Sequence, residues 1–347
     1  MELRQPKNAR ADVRSTVDQR EVGLEACARE SFAGRSARLI RREQLKPHVH
    51  RLRVEVDGEE RALIAKWSDP VVAHRCQLVS RRWLAAVDLE DCGPTLRAIA
   101  AAPSGEGAWH VYDDLGGQPI STDQPVDDEV QAAVETVARV HTALAEHPLL
   151  PEFRLWGGDR GAHFYSANVR DALGTLGAMD LDWGEDGMAV RDALVERLGA
   201  LRDQAYERAR LLAVAGGPET LLHGDLWPTN AVVVPHAEGP RVRLIDWDEA
   251  AAGPIGFDLA TFLGRFDSSQ RLWILDAYRQ AVDRLAGWSL PGEVELNQIF
   301  ETVAYARLAS LLVWSASGCN GNSDWLIERL GEIVEWFDAV HPVLPPR

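Results

Sequence analysis

The sequence predicts an α+β protein in two parts: a small, mostly antiparallel sheet within residues 1–115, then a larger, mainly helical part over residues 116–347. Three observations predict this. Strand-like runs at residues 38–42, 49–56 and 61–67 crowd the first seventy positions. After Val130 the apolar spacing turns helical. Between the two patterns, Gly116, Gly117 and Pro119 punctuate the chain.

In order, the first fourteen residues are polar and read as a loose arm, and Ser15 with Asp18 opens a helix expected to reach about Glu30. The three strands follow. Asp57-Gly58 is the turn between the last two, and the turn between the first two is expected around residues 43–48, which include Lys46. A helix is expected over 71–87, with no acidic residue in it, then a strand at 108–112 running into Asp113, Asp114 and Leu115. Val130, Val134, Val137, His141 and Leu144 share one helical face, which makes His141 a core histidine. Leu194, Leu198 and Leu201 mark a second long helix ending before Gly216, and further helical patterns begin near Ser269, Glu293 and Ser323.

At 347 residues and 46% hydrophobic content, the chain can bury a core in each part. Its net charge of −16 is uneven: residues 1–53 hold 13 Lys and Arg against 7 Asp and Glu, and the remainder 24 against 46, a balance of −22. Such a body repels nucleic acid and favours cationic ligands. Cys27, Cys76, Cys92 and Cys319 lie far apart without C-x-x-C spacing, which argues against zinc or a disulfide framework and points to a reducing compartment. With no apolar leader at the N-terminus and no expected run of membrane-spanning length, the expectation is a soluble cytoplasmic protein.

Residues 221–260 concentrate the chemistry. Runs at 232–234 and 242–245, separated by turn-like residues, read as a β-hairpin. If Pro235 and Arg241 flank its turn, 234 pairs with 242, 232 with 244, and Asn230 faces Asp246. An amide oxygen and a carboxylate so placed suit one hard cation such as Mg²⁺.

Upstream, His223, Asp225 and Asn230 have the spacing H-x-D-x-x-x-x-N of a kinase catalytic loop, and Asp246 stands where kinases keep their second metal-binding Asp. HGDLWPTN followed by LIDWDEAAAGPIGFDLA resembles the aminoglycoside phosphotransferase and choline kinase-like family, closely over about forty residues and weakly over most of the chain. The resemblance implies a bilobal protein-kinase-like fold and transfer of phosphate from ATP to a small-molecule hydroxyl. It implies Asp225 as catalytic base, His223 as support of the loop, Asn230 and Asp246 as Mg²⁺ ligands and Asp258 as a buried brace. Asp248 adds negative charge beside them, so ATP would need Mg²⁺ to approach. Lys66, late in the third strand, corresponds to the lysine that meets nucleotide phosphates. Two features depart from the pattern: no G-x-G-x-x-G lies between the first strands, where Lys46 would substitute electrostatically, and no helix glutamate pairs with Lys66, leaving Gln77, Glu90 or Asp91. Asp113, Asp114 and Leu115 fall on the linker that presents backbone to adenine.

For the acceptor site, aromatic and acidic residues suggest a cationic compound: Trp156, residues 180–186, Asp267, Glu301 and Trp314, of which Trp314 is expected to be core. Two other readings stay open, a non-catalytic nucleotide-binding module and a metal-dependent phosphohydrolase; a serine hydrolase is disfavoured by the lack of G-x-S-x-G.

Overall fold

The computed structural model describes residues 35–102, 104–181, 183–285, 288–319 and 321–345, together with Leu24, Cys27, Ser31 and Phe32. The expected N-terminal arm and most of the helix from Ser15 to Glu30 lie outside the described residues; Leu24 and Cys27 are helical and buried. Contacts divide the chain into two units, Met1–Gly116 and Gly117–Arg347.

Alternating apolar residues build the first unit. Strands β1 (Ala37–Lys46), β2 (Val49–Val56) and β3 (Glu59–Ser68) form successive hairpins, and β4 (Leu96–Ala101) and β5 (Ala108–Asp113) complete an antiparallel sheet of order β1-β2-β3-β5-β4. Asp57 and Gly58 both have positive φ, 51° and 86°, as a two-residue turn that follows strand twist requires. Leu52, Val54, Leu63, Ala65 and Val111 bury one face of the sheet with Leu24 and Cys27.

Two expectations for this unit need correction. The broad turn over 43–48 is a tight one at Pro47 and His48, because β1 continues to Lys46 and absorbs two register shifts along its length. Such irregularities and a run of exposed charged residues are common devices of an edge strand. The single helix over 71–87 is α1 (Pro70–Leu78), capped by Asp69, followed by a π turn at Val79–Trp83 and a 3-10 turn at Ala85–Val87. The Leu84 N–H reaches five residues back to the Val79 carbonyl at 3.2 Å, a widening that side-chain periodicity does not signal.

The second unit is helical around a long central element. After β6 (Gln118–Pro119) come α2 (Asp127–Ala143), α3 (Leu150–Gly157), α4 (Ala162–Ala178), α5 (Gly184–Asp203), α6 (Ala205–Ala215), α7 (Gly256–Leu263), α8 (Ser268–Leu285), α9 (Glu293–Gly318) and α10 (Ser323–Asp338). The expected long helix before Gly216 is two helices, broken at Gln204. Helix α9 packs on α4 and α7, and α2 on α8. The expectation that no run is long and apolar enough to span a membrane is also corrected: α9 has 26 residues and a window of mean hydropathy 1.2. Its buried Leu296, Ile299, Phe300 and Leu312 give it a place in the core of this unit.

Two small ladders position the loops of interest. Strand β7 (Glu219–Leu222) pairs with β10 (Ala251–Pro254), setting Leu222 opposite Ala251, while β8 (Ala231–Val234) pairs with both β6 and β9 (Arg241–Leu244). Residues 223–230 and 245–250 are thereby tied at both ends. Replacing fully buried Leu52 by Ala is expected to lower unfolding free energy by roughly 2–5 kcal/mol, whereas Ile40→Ala, at a 47% exposed edge position, should change it by less than about 0.5 kcal/mol; urea denaturation of both variants checks the contrast.

Candidate active site

The loop after β7 is organised by one buried carboxylate. Asp258, fully buried in the first turn of α7, accepts the His223 N–H at 2.7 Å and the Gly224 N–H at 2.9 Å, one on each oxygen. His141 Nε2 lies 3.3 Å from Oδ2, and Nδ1 lies 2.9 Å from the Tyr278 hydroxyl. Burial alone would raise the pKa of Asp258, but the His141 contact, the His223 ring and the backbone donor outweigh it and hold the pKa below the ordinary 3.8. Burial and the Asp258 charge raise the Tyr278 pKa, so its hydroxyl remains protonated and donates to His141. The core position of His141 thus has a task, as a link in this chain.

Gly224 is required where it stands. Its φ is 79°, and a Cβ there would lie 1.8 Å from the Glu249 carbonyl oxygen. The backbone of one loop passes directly against that of the other. His223 makes the second tie, donating from Nε2 to the Ile245 carbonyl at 2.8 Å with its ring 4.6 Å from Trp247.

Asp225 follows, half-buried. Its Oδ1 accepts from Trp227 Nε1 at 2.5 Å and from Arg307 Nη2 at 2.7 Å, leaving Oδ2 with no hydrogen bond from the described residues. Its carbonyl accepts from the Trp227 N–H and from Asn230 Nδ2, at 2.8 and 2.9 Å. Arg307 comes from the middle of α9, where its other nitrogen meets the Thr261 hydroxyl. The Arg265 guanidinium lies 3.4 Å above the Trp227 ring. Sequence reasoning missed Arg265, in the turn after α7, and Arg307, within α9, which stand 40 and 82 positions beyond Asp225 in segments without a motif.

The hairpin register differs from the expected one by a single residue. Val234 pairs with Arg241 and Ala231 with Leu244, so the Ile245 N–H, rather than Asp246, meets the Asn230 carbonyl, at 2.8 Å. The ladder takes in Arg241 and stops there, since Pro235 and Pro240, the next positions on either strand, have no N–H to give. Asp246 sits one residue beyond, with φ 68°, exposed, at the turn into the short helix Trp247–Glu249 that carries half-buried Asp248. Because Nδ2 of Asn230 is engaged, Oδ1 is the atom it would offer a cation; together with the Asp246 carboxylate it would supply two hard-oxygen donors of the kind that suits Mg²⁺. Among the described residues no group of three or more His, Cys, Asp or Glu forms a metal cage. Mg²⁺ sites of one or two side chains are normally completed by substrate phosphates.

A model of the phosphotransferase enzyme family matches residues 43–291. The chain belongs to that family. A search of curated proteins finds no match. Among solved structures, the chain resembles Plasmodium vivax ethanolamine kinase at 13% identity and TM-score 0.57, covering 86% of this chain and 80% of that one. It also resembles amicoumacin kinase in complex with AMP-PNP, Ca²⁺ and Ami at 12% identity and TM-score 0.57, over 96% and 98% of the two chains. A Streptomyces rimosus aminoglycoside phosphotransferase in complex with ADP and streptomycin follows at 18% and 0.52, over 86% and 99%. At these identities the likeness is one of fold, and that fold is the α+β, kinase-like one expected from the sequence.

In the first unit of this phosphotransferase, Lys66 lies on β3 across from Val49 on one side and His110 on the other, half-buried. His110 is wholly buried; burial, then the Lys66 charge, depress its pKa to about 4. Lys46 is exposed at the end of β1. Arg97 holds the Asp113 carboxylate through two bonds of 2.7 Å, and Arg51 holds Asp114 at 2.8 Å. Those acids therefore serve the local structure, and Leu115 is partly buried.

Of the residues expected to meet a cationic acceptor, Trp314 is not core: it is 73% exposed on α9. Helical period places it off the buried stripe of Ala309, Leu312 and Ser315. Asp267 caps α8, accepting the Ser269 N–H at 2.9 Å and its hydroxyl at 2.7 Å. Glu301 lies 3.5 Å from Arg208, Trp156 is partly exposed, and Asp182 lies outside the described residues.

Asp258→Ala should lower stability at pH 7 by about 3–5 kcal/mol, the usual effect of breaking a buried ionic network. Since the folded pKa is depressed, the stabilisation is fully present above the unfolded value near 3.8 and is lost as pH falls below it through the folded value. Urea denaturation between pH 3 and 7 should accordingly show a shallower acid decline for Asp258→Asn than for the parent.

Proposed function

We propose that this enzyme transfers the γ-phosphoryl group of ATP to a hydroxyl of a small molecule, with Asp225 as the base. The observation that carries this reading is the state of the Asp225 carboxylate. Oδ1 is fixed by Trp227 and Arg307, Oδ2 stands without a bond from the described residues, and the backbone beneath is tied to Asp258. The acceptor hydroxyl would donate to Oδ2. As the acceptor oxygen bonds to the γ-phosphorus, the bond from that phosphorus to the bridging oxygen breaks, its electron pair leaves with ADP, and the hydroxyl proton passes to Asp225. The reaction needs positioning and charge neutralisation more than covalent help.

Asn230 Oδ1 and the Asp246 carboxylate would hold Mg²⁺, which when bound neutralises phosphate charge. Asp248 would keep the local field favourable to the cation, and His223 would hold the loop in place. In the first unit we assign Lys66 to the nucleotide phosphates, with Lys46 a supplementary charge and the backbone of residues 113–115 the adenine contact. The bound ADP and AMP-PNP named in two of the similar structures support an adenine nucleotide. The small-molecule acceptors named for the same group support the acceptor class. Four free cysteines support a reducing, cytoplasmic setting.

Asp225→Asn is expected to keep Mg²⁺-dependent ATP binding while kcat falls roughly 10²–10⁴-fold, the usual contribution of a general base. Asp246→Ala should lose the Mg²⁺-dependent part of ATP affinity itself. Calorimetric ATP titrations beside single-turnover rates separate the two roles. ADP release that no hydroxyl compound stimulates would instead favour a phosphohydrolase. For Lys66→Ala, kcat/KM for ATP should fall, and Lys66→Arg should rescue it only in part, since a planar fork does not reproduce a point charge; an unchanged kcat/KM would remove Lys66 from the nucleotide site.

A further inference from the structure

The total charge of the chain favours a cationic acceptor, yet the field that selects an acceptor is the one beside Asp225. Two guanidinium groups set it. Arg307 is bonded to Asp225 Oδ1, and the Arg265 guanidinium carbon lies 3.4 Å from the ring centroid of Trp227, whose N–H is bonded to the same oxygen. Of the carboxylates on the surrounding elements, Asp258 is engaged by the loop backbone, Asp267 by Ser269, Glu249 by Arg160 at 2.6 Å and Glu301 by Arg208, while Asp246 and Asp248 belong to the proposed Mg²⁺ site. Along α9, residues 302–318 contain one charged side chain, Arg307. The Arg265 side chain makes no hydrogen bond or ion pair with any described residue, although it is held in place by its stacking.

Two like charges this close repel. Partial burial and then the charge of Arg307 lower the pKa of Arg265, with Asp225 opposing the shift, but an arginine stays protonated and the repulsion persists. An anion entering beside Arg265 would relieve it and would receive a planar, pre-positioned pair of N–H donors. Seven residues after Arg307, Trp314 returns to nearly the same helical face and is 73% exposed. Two helical turns separate the pair by about 10 Å. That is the length of a small substituted ring compound.

We propose that the acceptor carries an anionic group, a carboxylate or a phosphate ester, recognised by Arg265 beside Asp225, and an apolar or aromatic body laid against Trp314. The assignment rests on the kinase reading of the Asp225 loop. It replaces the cationic acceptor suggested by overall charge.

Calorimetric titration of the full chain with benzoate, phenyl phosphate and benzylamine tests this without using turnover. Both anions should bind saturably, at least tenfold more tightly than the amine, and the tighter of the two distinguishes carboxylate from phosphate ester. Arg265→Gln should weaken both anions at least tenfold, Arg265→Lys should retain part of the affinity, and Trp314→Ala should weaken both severalfold; Mg²⁺-dependent ATP affinity should be unchanged in all three variants. Tighter binding of benzylamine, anion affinity that survives Arg265→Gln, or absence of saturable anion binding would overturn the proposal. Failure of the kinase reading shows elsewhere, in ADP release by the parent and the Asp225→Asn variant.

Discussion

A buried carboxylate holding two backbone N–H groups is the constraint on which the candidate site depends. Removing Asp258 from water is unfavourable unless its oxygens are bonded, and the partners come from three distant places: the His223–Gly224 backbone, His141 on α2 and, through His141, Tyr278 on α8. The ion is stable only when all of these elements are in place. The path of the loop is consequently as well determined as the core around it.

From that anchor the geometry of Asp225 follows by close approach. Gly224 lets the chain pass against Glu249 where no side chain fits, and His223 ties the same loop to the Ile245 carbonyl just before Asp246. The proposed base and the proposed cation ligand are set relative to each other by main-chain contacts within one unit. Arg307 adds a bond from α9, so Asp225 is oriented from below by its backbone and from the side by a guanidinium.

Charge can be read as an average over the chain or at a single site. A balance of −22 over residues 54–347 describes a surface in which most acids are solvated or paired, and screening within about 10 Å isolates them from any one pocket. Beside Asp225 itself stand Arg265 and Arg307, the two charges on which the anionic-acceptor proposal rests. Their effect is opposite in sign to the total.

The amino-acid sequence by itself determined the α+β class, the first three strands and the Asp57-Gly58 turn, and the membership of Asp225, Asn230 and Asp246 in one motif, because period-two patterns, turn chemistry and short spacings are local properties of the chain. Tertiary structure alone decided the hairpin register, where Arg241 joins the ladder and the pairing lies one residue from the expected one. It decided the π turn at Val79–Trp83, which periodicity cannot register. It decided as well that Trp314 faces outward and that Arg265 and Arg307 gather around Asp225. The last of these brings Arg265 and Arg307 to Asp225 from 40 and 82 positions away, and no spacing rule along the chain encodes a contact that exists only once the segment after α7 and helix α9 have packed.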